Sequence, residues 1–209
     1  MANKQQAEDL RLQADESFEK EDFKEAIRLY TAAIRENQKD PSLYFSRSLA
    51  YMRTDQYCYA LLDAEKSIAL SPQCSLGYCR RGDVQFAAGR FSDALLSYQV
   101  AFLLQPNDRT VFVSMTKAKL ALDSFRQREK LDPWLCTGVG LIFGAIIAVA
   151  DWTLAASPSL KHPVLIVLLT LVTSSCGYGI GRAYRFYLKI QRDGMLQPPL
   201  ESNQDSEGM

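Results

Sequence analysis

A single histidine among 209 residues removes most of the chemistry that a chain of this length could carry. That residue, His162, stands beside Pro163 in a short interval between two apolar segments, and we read it as a loop residue, not the base of a nucleophilic site. The five cysteines, at 58, 74, 79, 136 and 176, form no CxxC pair. With one histidine they offer no zinc set, so they read as reduced thiols facing a cytosol. A phosphate-cradling loop is also missing, because Gly177, Gly179 and Gly181 lie inside an apolar run with no strand before it. The opening MANKQQAEDL is polar and lacks the apolar centre of a secretory signal. Formal net charge is zero, which gives no pull toward nucleic acid. These absences exclude an enzyme, a metal site and a cofactor site from the reading.

Charge is present but unevenly placed. Residues 1–132 hold nineteen basic and nineteen acidic side chains, whereas residues 135–181 hold only Asp151 and Lys161. The chain therefore divides into a charged half of 1–132, an apolar stretch of 133–185, and a terminal 186–209.

Within the charged half one pattern recurs every 34 residues. A small residue stands at Ala14, Ser48 and Gly82. Alanine follows at Ala26, Ala60 and Ala94, each with an aromatic three positions earlier at Phe23, Tyr57 and Phe91. Further on come Ala33, Ser67 and Ala101, and then Pro72 and Pro106, with Gln38 in the matching slot of the first copy. Apolar residues between these marks keep helical spacing: Leu10, Ala14, Ser17 and Phe18, then Phe23, Ala26, Ile27, Tyr30, Ala33 and Ile34. Turns fall at Glu21–Asp22, Thr54–Asp55 and Gly89.

A period of 34 with these residue types resembles the tetratricopeptide repeat (TPR) family over residues 7–106. The resemblance implies an all-α fold of three helix-turn-helix repeats. Pro106, Asn107 and Asp108 then end one helix and start another, Arg109–Lys130, with Phe112, Met115, Leu120, Leu122 and Phe125 among basic residues. This is the expected cap over the last repeat.

The apolar stretch holds two segments of about 20 residues, 135–154 and 164–183, each long enough for roughly 30 Å of bilayer core. Trp134 and Trp152 bracket the first, with Asp151 beside the second tryptophan at the interface. Gly140 and Gly144, like Gly177 and Gly181, form small-xxx-small faces suited to close helix pairing. The expectation is a two-helix transmembrane hairpin. Arg126, Arg128 and Lys130 before it, and Arg182, Arg185, Lys189 and Arg192 after it, would put both termini in the cytosol. Endoplasmic reticulum is preferred by a narrow margin over the outer mitochondrial membrane, and the acidic tail after Arg192 is expected to be disordered.

The resemblance also implies a concave groove for a peptide or helix of a protein partner. Arg11, Asp15, Phe45, Ser46, Leu49, Arg53, Cys79, Arg80 and Asp83 are its expected lining. In the best-known branch of the family such a groove clamps the C-terminal carboxylates of the seventy- and ninety-kilodalton heat-shock chaperones. Carried over residue by residue, that clamp is incomplete. Arg80 matches an arginine, and Arg11 keeps the charge of a lysine. Ser46 replaces an asparagine with shorter reach, Asp15 replaces another with the wrong sign, and Leu76 replaces a lysine. The expected function is a membrane-anchored adaptor that recruits a cytosolic protein, with a co-chaperone as a narrower version and lipid as the second partner. The alternative is a membrane-shaping or complex-assembly subunit whose hairpin is the working part.

Overall fold

The computed structural model describes the backbone of residues 2–154 and 163–197; the side chains at 2, 3, 129–134, 151–154, 163, 164 and 166 are left aside. Every described element is an α-helix: α1 (Ala2–Glu19), α2 (Phe23–Glu36), α3 (Pro41–Arg53), α4 (Tyr57–Leu70), α5 (Ser75–Ala87), α6 (Phe91–Leu104), α7 (Arg109–Leu154) and α8 (Pro163–Gly194). They fall into two compact units, one from Met1 to Ala121 together with 192–209, the other from Leu122 to Gln191.

In the first unit the 34-residue pattern marks the places where helices touch. Ala14, Ser48, Ala26, Ala60, Ala94, Ala33 and Ala101 are completely buried, because only a small side chain lets two helix backbones approach this closely. Phe18 meets Phe23 edge to face at 5.2 Å, and Phe86 meets Phe91 in the same way at 5.2 Å. These pairs close the first and third repeats beneath their turns. Asp22 caps α2 by accepting from the Glu25 amide at 3.2 Å, and Asp40 caps α3 by accepting from the Ser42 amide at 2.9 Å. Each cap satisfies an amide that the helix itself leaves open.

The turn inside each repeat is built identically. Backbone amides reach back five residues, from Asp22 to Ser17, from Gln56 to Tyr51 and from Arg90 to Gln85, at 2.8–2.9 Å. This closure requires a left-handed residue just before the donor. Glycine fills that place once, at Gly89 (φ 74°), but Glu21 (φ 61°) and Asp55 (φ 58°) fill it in the other repeats. A side chain there costs about 1 kcal/mol. Glu21→Gly is accordingly expected to stabilise the domain by about 0.5–1 kcal/mol, read as a rise in the urea midpoint at constant slope.

The start of α7 covers the third repeat, as a cap should. The face it uses differs from the expected one: Val111 and Ala118 are buried, with Met115 packed against Ala94 and Tyr98, whereas Phe112 and Leu120 are exposed. Small size, more than hydrophobicity, selects the contact face, as it does inside the repeats.

The second unit pairs α7 with α8 in antiparallel fashion through the glycine faces. A Cβ on Gly140 would lie 2.5 Å from the Thr173 carbonyl, and one on Gly177 would collide with the Cys136 carbonyl. The expected transmembrane hairpin is not supported. Among the described residues no helix is long and apolar enough to cross a membrane. In α8 the apolar run is broken by Thr170, Thr173, Ser174 and Ser175 and then meets Arg182. Lipid as a partner, integral-membrane placement, the cytosolic position of both termini and the choice of endoplasmic reticulum rested on those spans and lose their support with them. Trp134, Asp151, Trp152, Lys161, His162 and the tail beyond residue 197 lie outside the described side chains.

Candidate functional site, the groove of the first helices

Helices α1, α3 and α5 open the three repeats, and α3 packs on α5 as well as on α2 and α4. The first helices thus form an inner layer, and the second helices an outer one. On α3, Ser46, Leu49 and Arg53 follow at spacings of three and four and share a face, which Phe45 adjoins one turn before Leu49.

At the α1 end the polar groups are already matched to each other. Arg11 donates from Nε to Glu8 Oε2 at 3.1 Å and from Nη2 to the other oxygen of the same carboxylate. That pairing, with Asp15 and Asp40 nearby, holds the guanidinium above its ordinary pKa despite some burial. Asp15 accepts the hydroxyl hydrogen of Tyr30, which is only 3% exposed. Ser46 lies close to the same phenol and opposes the shift of its pKa. Burial first, and the Asp15 carboxylate second, push the Tyr30 hydroxyl well above the ordinary tyrosine range.

The α5 end repeats this arrangement two periods on. Tyr98 donates to Asp83 Oδ1 at 2.7 Å, and burial followed by the same carboxylate raises its pKa strongly. Here, however, the arginine is not consumed. Arg80 is 8% exposed, and its guanidinium carbon stands 4.2 Å from the centre of the Phe45 ring. Its one contact with a carboxylate, Nη1 to Asp83, is long at 3.3 Å. Its Nε is buried and has no hydrogen-bond partner. Burial, with the nearby Arg53 adding to it, lowers the Arg80 pKa, and Asp83 opposes the shift. The group remains a cation, since arginine does not lose its proton in proteins. Asp83 itself is raised by burial, against the hydroxyl of Tyr98 and the charges of Arg80 and Lys117. The Cys79 thiol is pushed up to about 11, mainly by burial, which makes it a packing group and a poor nucleophile.

The expected lining residues therefore gather in two clusters. Arg11, Asp15 and Ser46 meet around Tyr30, and Phe45, Arg53, Cys79, Arg80 and Asp83 meet around the guanidinium of Arg80. Leu49 is half-buried between them along α3, and Leu76 is exposed at 53%. Tyr30, Tyr98, Glu8 and Lys117 complete the clusters and were not foreseen. One signal for the tyrosines was present: Asp15–Tyr30 and Asp83–Tyr98 share a spacing of fifteen residues and lie two periods apart. Among the described residues no cluster of His, Cys, Asp and Glu could hold a metal ion.

Paired helices stacked so that their first members line a common groove define a protein-interaction domain. Residues 1–79 match the family described as "Serine/threonine-protein kinase BSK1-like, TPR repeats". Serine/threonine-protein phosphatase 5 of Rattus norvegicus is 41% identical over 103 residues, 49% of this chain and 21% of that protein. The Hsp70-Hsp90 organizing protein of Triticum aestivum is 36% identical over 103 residues, 49% of this chain and 18% of that protein. Among solved structures, the first TPR of Spaghetti (RPAP3) bound to HSP90 peptide SRMEEVD superposes with a TM-score of 0.54 at 28% identity, covering 57% of this chain and 94% of that one. The first unit carries tetratricopeptide repeats, a likeness that the family model, the relatives and the solved structure share. The chain spans about a fifth of the length of the curated relatives it matches.

Proposed function

We propose that the groove of α1, α3 and α5 holds a short acidic peptide of a protein partner, and that the chain is an adaptor which brings that partner to whatever its second unit contacts. The observation that carries this reading is the Arg80 Nε, buried and unpartnered beneath the Phe45 ring. A buried donor without an acceptor costs about 1–3 kcal/mol, and a ligand oxygen arriving there would recover it. The resemblance to a TPR domain solved with the peptide SRMEEVD supports a chaperone C-terminus as the ligand class, and hence a co-chaperone role. The anchoring half of the adaptor idea is not part of this reading.

Anisotropy of a fluorescent SRMEEVD peptide titrated with the full chain tests it. Saturable binding is expected, with Arg80→Ala weakening it about tenfold or more, since a hydrogen bond to a charged group contributes about 1.5–3 kcal/mol. Absence of saturable binding to any acidic peptide, with the helical circular dichroism intact, would reject the proposal.

A further inference from the structure

The two arginines of the groove are in opposite conditions. The Arg11 fork is saturated by Glu8 through both Nε and Nη2, so it has little left to offer an incoming carboxylate. Around it stand Glu8, Asp15 and Asp40. Beside them a cavity of about 370 Å³ opens between Lys4, Ala7, Glu8, Asn37, Asp40 and Leu43, large enough for a lysine or arginine side chain. Lys4 is the one further cation at that rim, leaving carboxylates in the majority. At the other end Arg80 keeps a buried donor unused, Arg53 acts on it from the neighbouring helix, and Lys117 acts on Asp83 from α7. Asp83 and Asp108 are the acids there, so that Arg80, Arg53 and Lys117 leave cations in the majority.

We propose that the groove is electrically polar along its length, accepting a peptide whose acidic group docks on Arg80 and Arg53 and whose basic residue docks at the acidic α1 end beside Asp15, Glu8 and Asp40. This rests on the reading of the groove as a peptide site and adds what it selects. The selected ligand is an extended segment with a cation toward one end and an anion toward the other, held in one direction by the two charges. Asp15, which is the wrong residue for a carboxylate clamp, becomes the right one for a lysine or arginine. Its Oδ1 is bound to Tyr30, which fixes the carboxylate in place as an acceptor.

The test uses the full chain and synthetic peptides with amidated C-termini: SRMEEVD, the same peptide with its arginine replaced by alanine, and the same peptide with both glutamates and the aspartate replaced by their amides. Anisotropy at low salt reads their affinities. Removal of the arginine is expected to weaken binding about fivefold, the size of one well-placed ion pair. Asp15→Asn is expected to abolish that difference, bringing the peptides with and without arginine to the same affinity. Arg53→Ala, at an exposed position, is expected to weaken both acidic peptides equally, and the amide peptide should bind neither form. Equal affinity for the peptides with and without arginine, with Arg80→Ala still damaging, would overturn charge polarity and leave the acidic-peptide site standing. Loss of all binding would remove both.

Discussion

Arg47→Met is expected to lower stability by about 3–5 kcal/mol, the typical cost of stripping one partner from a buried ion pair. Arg47 donates from Nε and Nη2 to the two oxygens of Asp63, each at 2.7 Å, and from Nη1 to Thr31 Oγ1 at 3.0 Å. Its guanidinium also stands over the rings of Tyr44 and Tyr51 at 5.8 and 5.7 Å. The side chain of Asp63 is 8% exposed, and burial raises its pKa even with Arg47 pulling the other way. Without the arginine, the carboxylate would be left charged among apolar groups. The deficit therefore depends on pH. A carboxyl whose folded pKa is raised stabilises the fold below its unfolded pKa and loses that contribution as pH rises through the folded value. The variant should be weakest at neutral and alkaline pH and recover part of its loss as pH falls toward the carboxylate range. Urea unfolding at several pH values checks this. Arg47→Met with Asp63→Leu should regain most of the stability, because an apolar pair of similar volume often replaces a buried ion pair at little cost. Equal losses in the single and double variants would sink the explanation.

Gly82→Leu is expected to unfold the third repeat, and Gly82→Ala to cost up to about 2 kcal/mol. A Cβ on Gly82 would lie 2.7 Å from Tyr98 Cε1, 2.8 Å from Cδ1 and 2.9 Å from Cζ. The ring is 3% exposed and its hydroxyl is tied to Asp83, so it cannot swing aside without breaking that bond. Overpacking of this kind costs about 1–3 kcal/mol, against about 1 kcal/mol gained by alanine over glycine in a helix. Displacing Tyr98 also loosens Asp83 and Arg80, so the Ala variant should lose peptide affinity beyond its loss of fold. Adding Tyr98→Leu to Gly82→Ala should restore stability while leaving affinity low. Thermal melts and anisotropy on the same samples separate the two effects.

These two sites also show what the sequence could and could not disclose. Gly82 was legible because its role repeats: the same slot holds Ala14 and Ser48, and a size limit imposed by helix contact recurs with every turn of the pattern. The period likewise disclosed Ala26, Ala60 and Ala94, the turns, and the cap after Pro106. Arg47–Asp63 was not legible, since Gln13 and Arg81 occupy the equivalent first position and Leu29 and Ser97 the second. Its one echo, Arg81 donating from Nε to Ser97 Oγ at 3.0 Å, lacks the carboxylate that makes the pair ionic. The free donor of Arg80 and the saturated one of Arg11 look alike in a string of letters, because what distinguishes them is which carboxylate happens to reach them. Apolar composition alone was the weakest guide. Residues 135–154 and 164–183 contain enough hydrophobic letters for two spans, yet among the described residues no helix is long and apolar enough to cross a membrane, and hydroxyl side chains interrupt the run in α8.

The pattern of contacts between helices has a consequence for how the chain is made. In the first unit the most extensive contacts join helices that are neighbours in sequence, with α3 on α5 as the main addition. Such local pairing closes short loops, so the entropy lost before contacts form is small and folding is fast. On a ribosome adding about 5–20 residues per second, the first repeat has the partners it needs once α3 has emerged, and the second once α5 has. Arg80 and Phe45 meet before α7 exists, so the groove is assembled while the rest of the chain is still being translated.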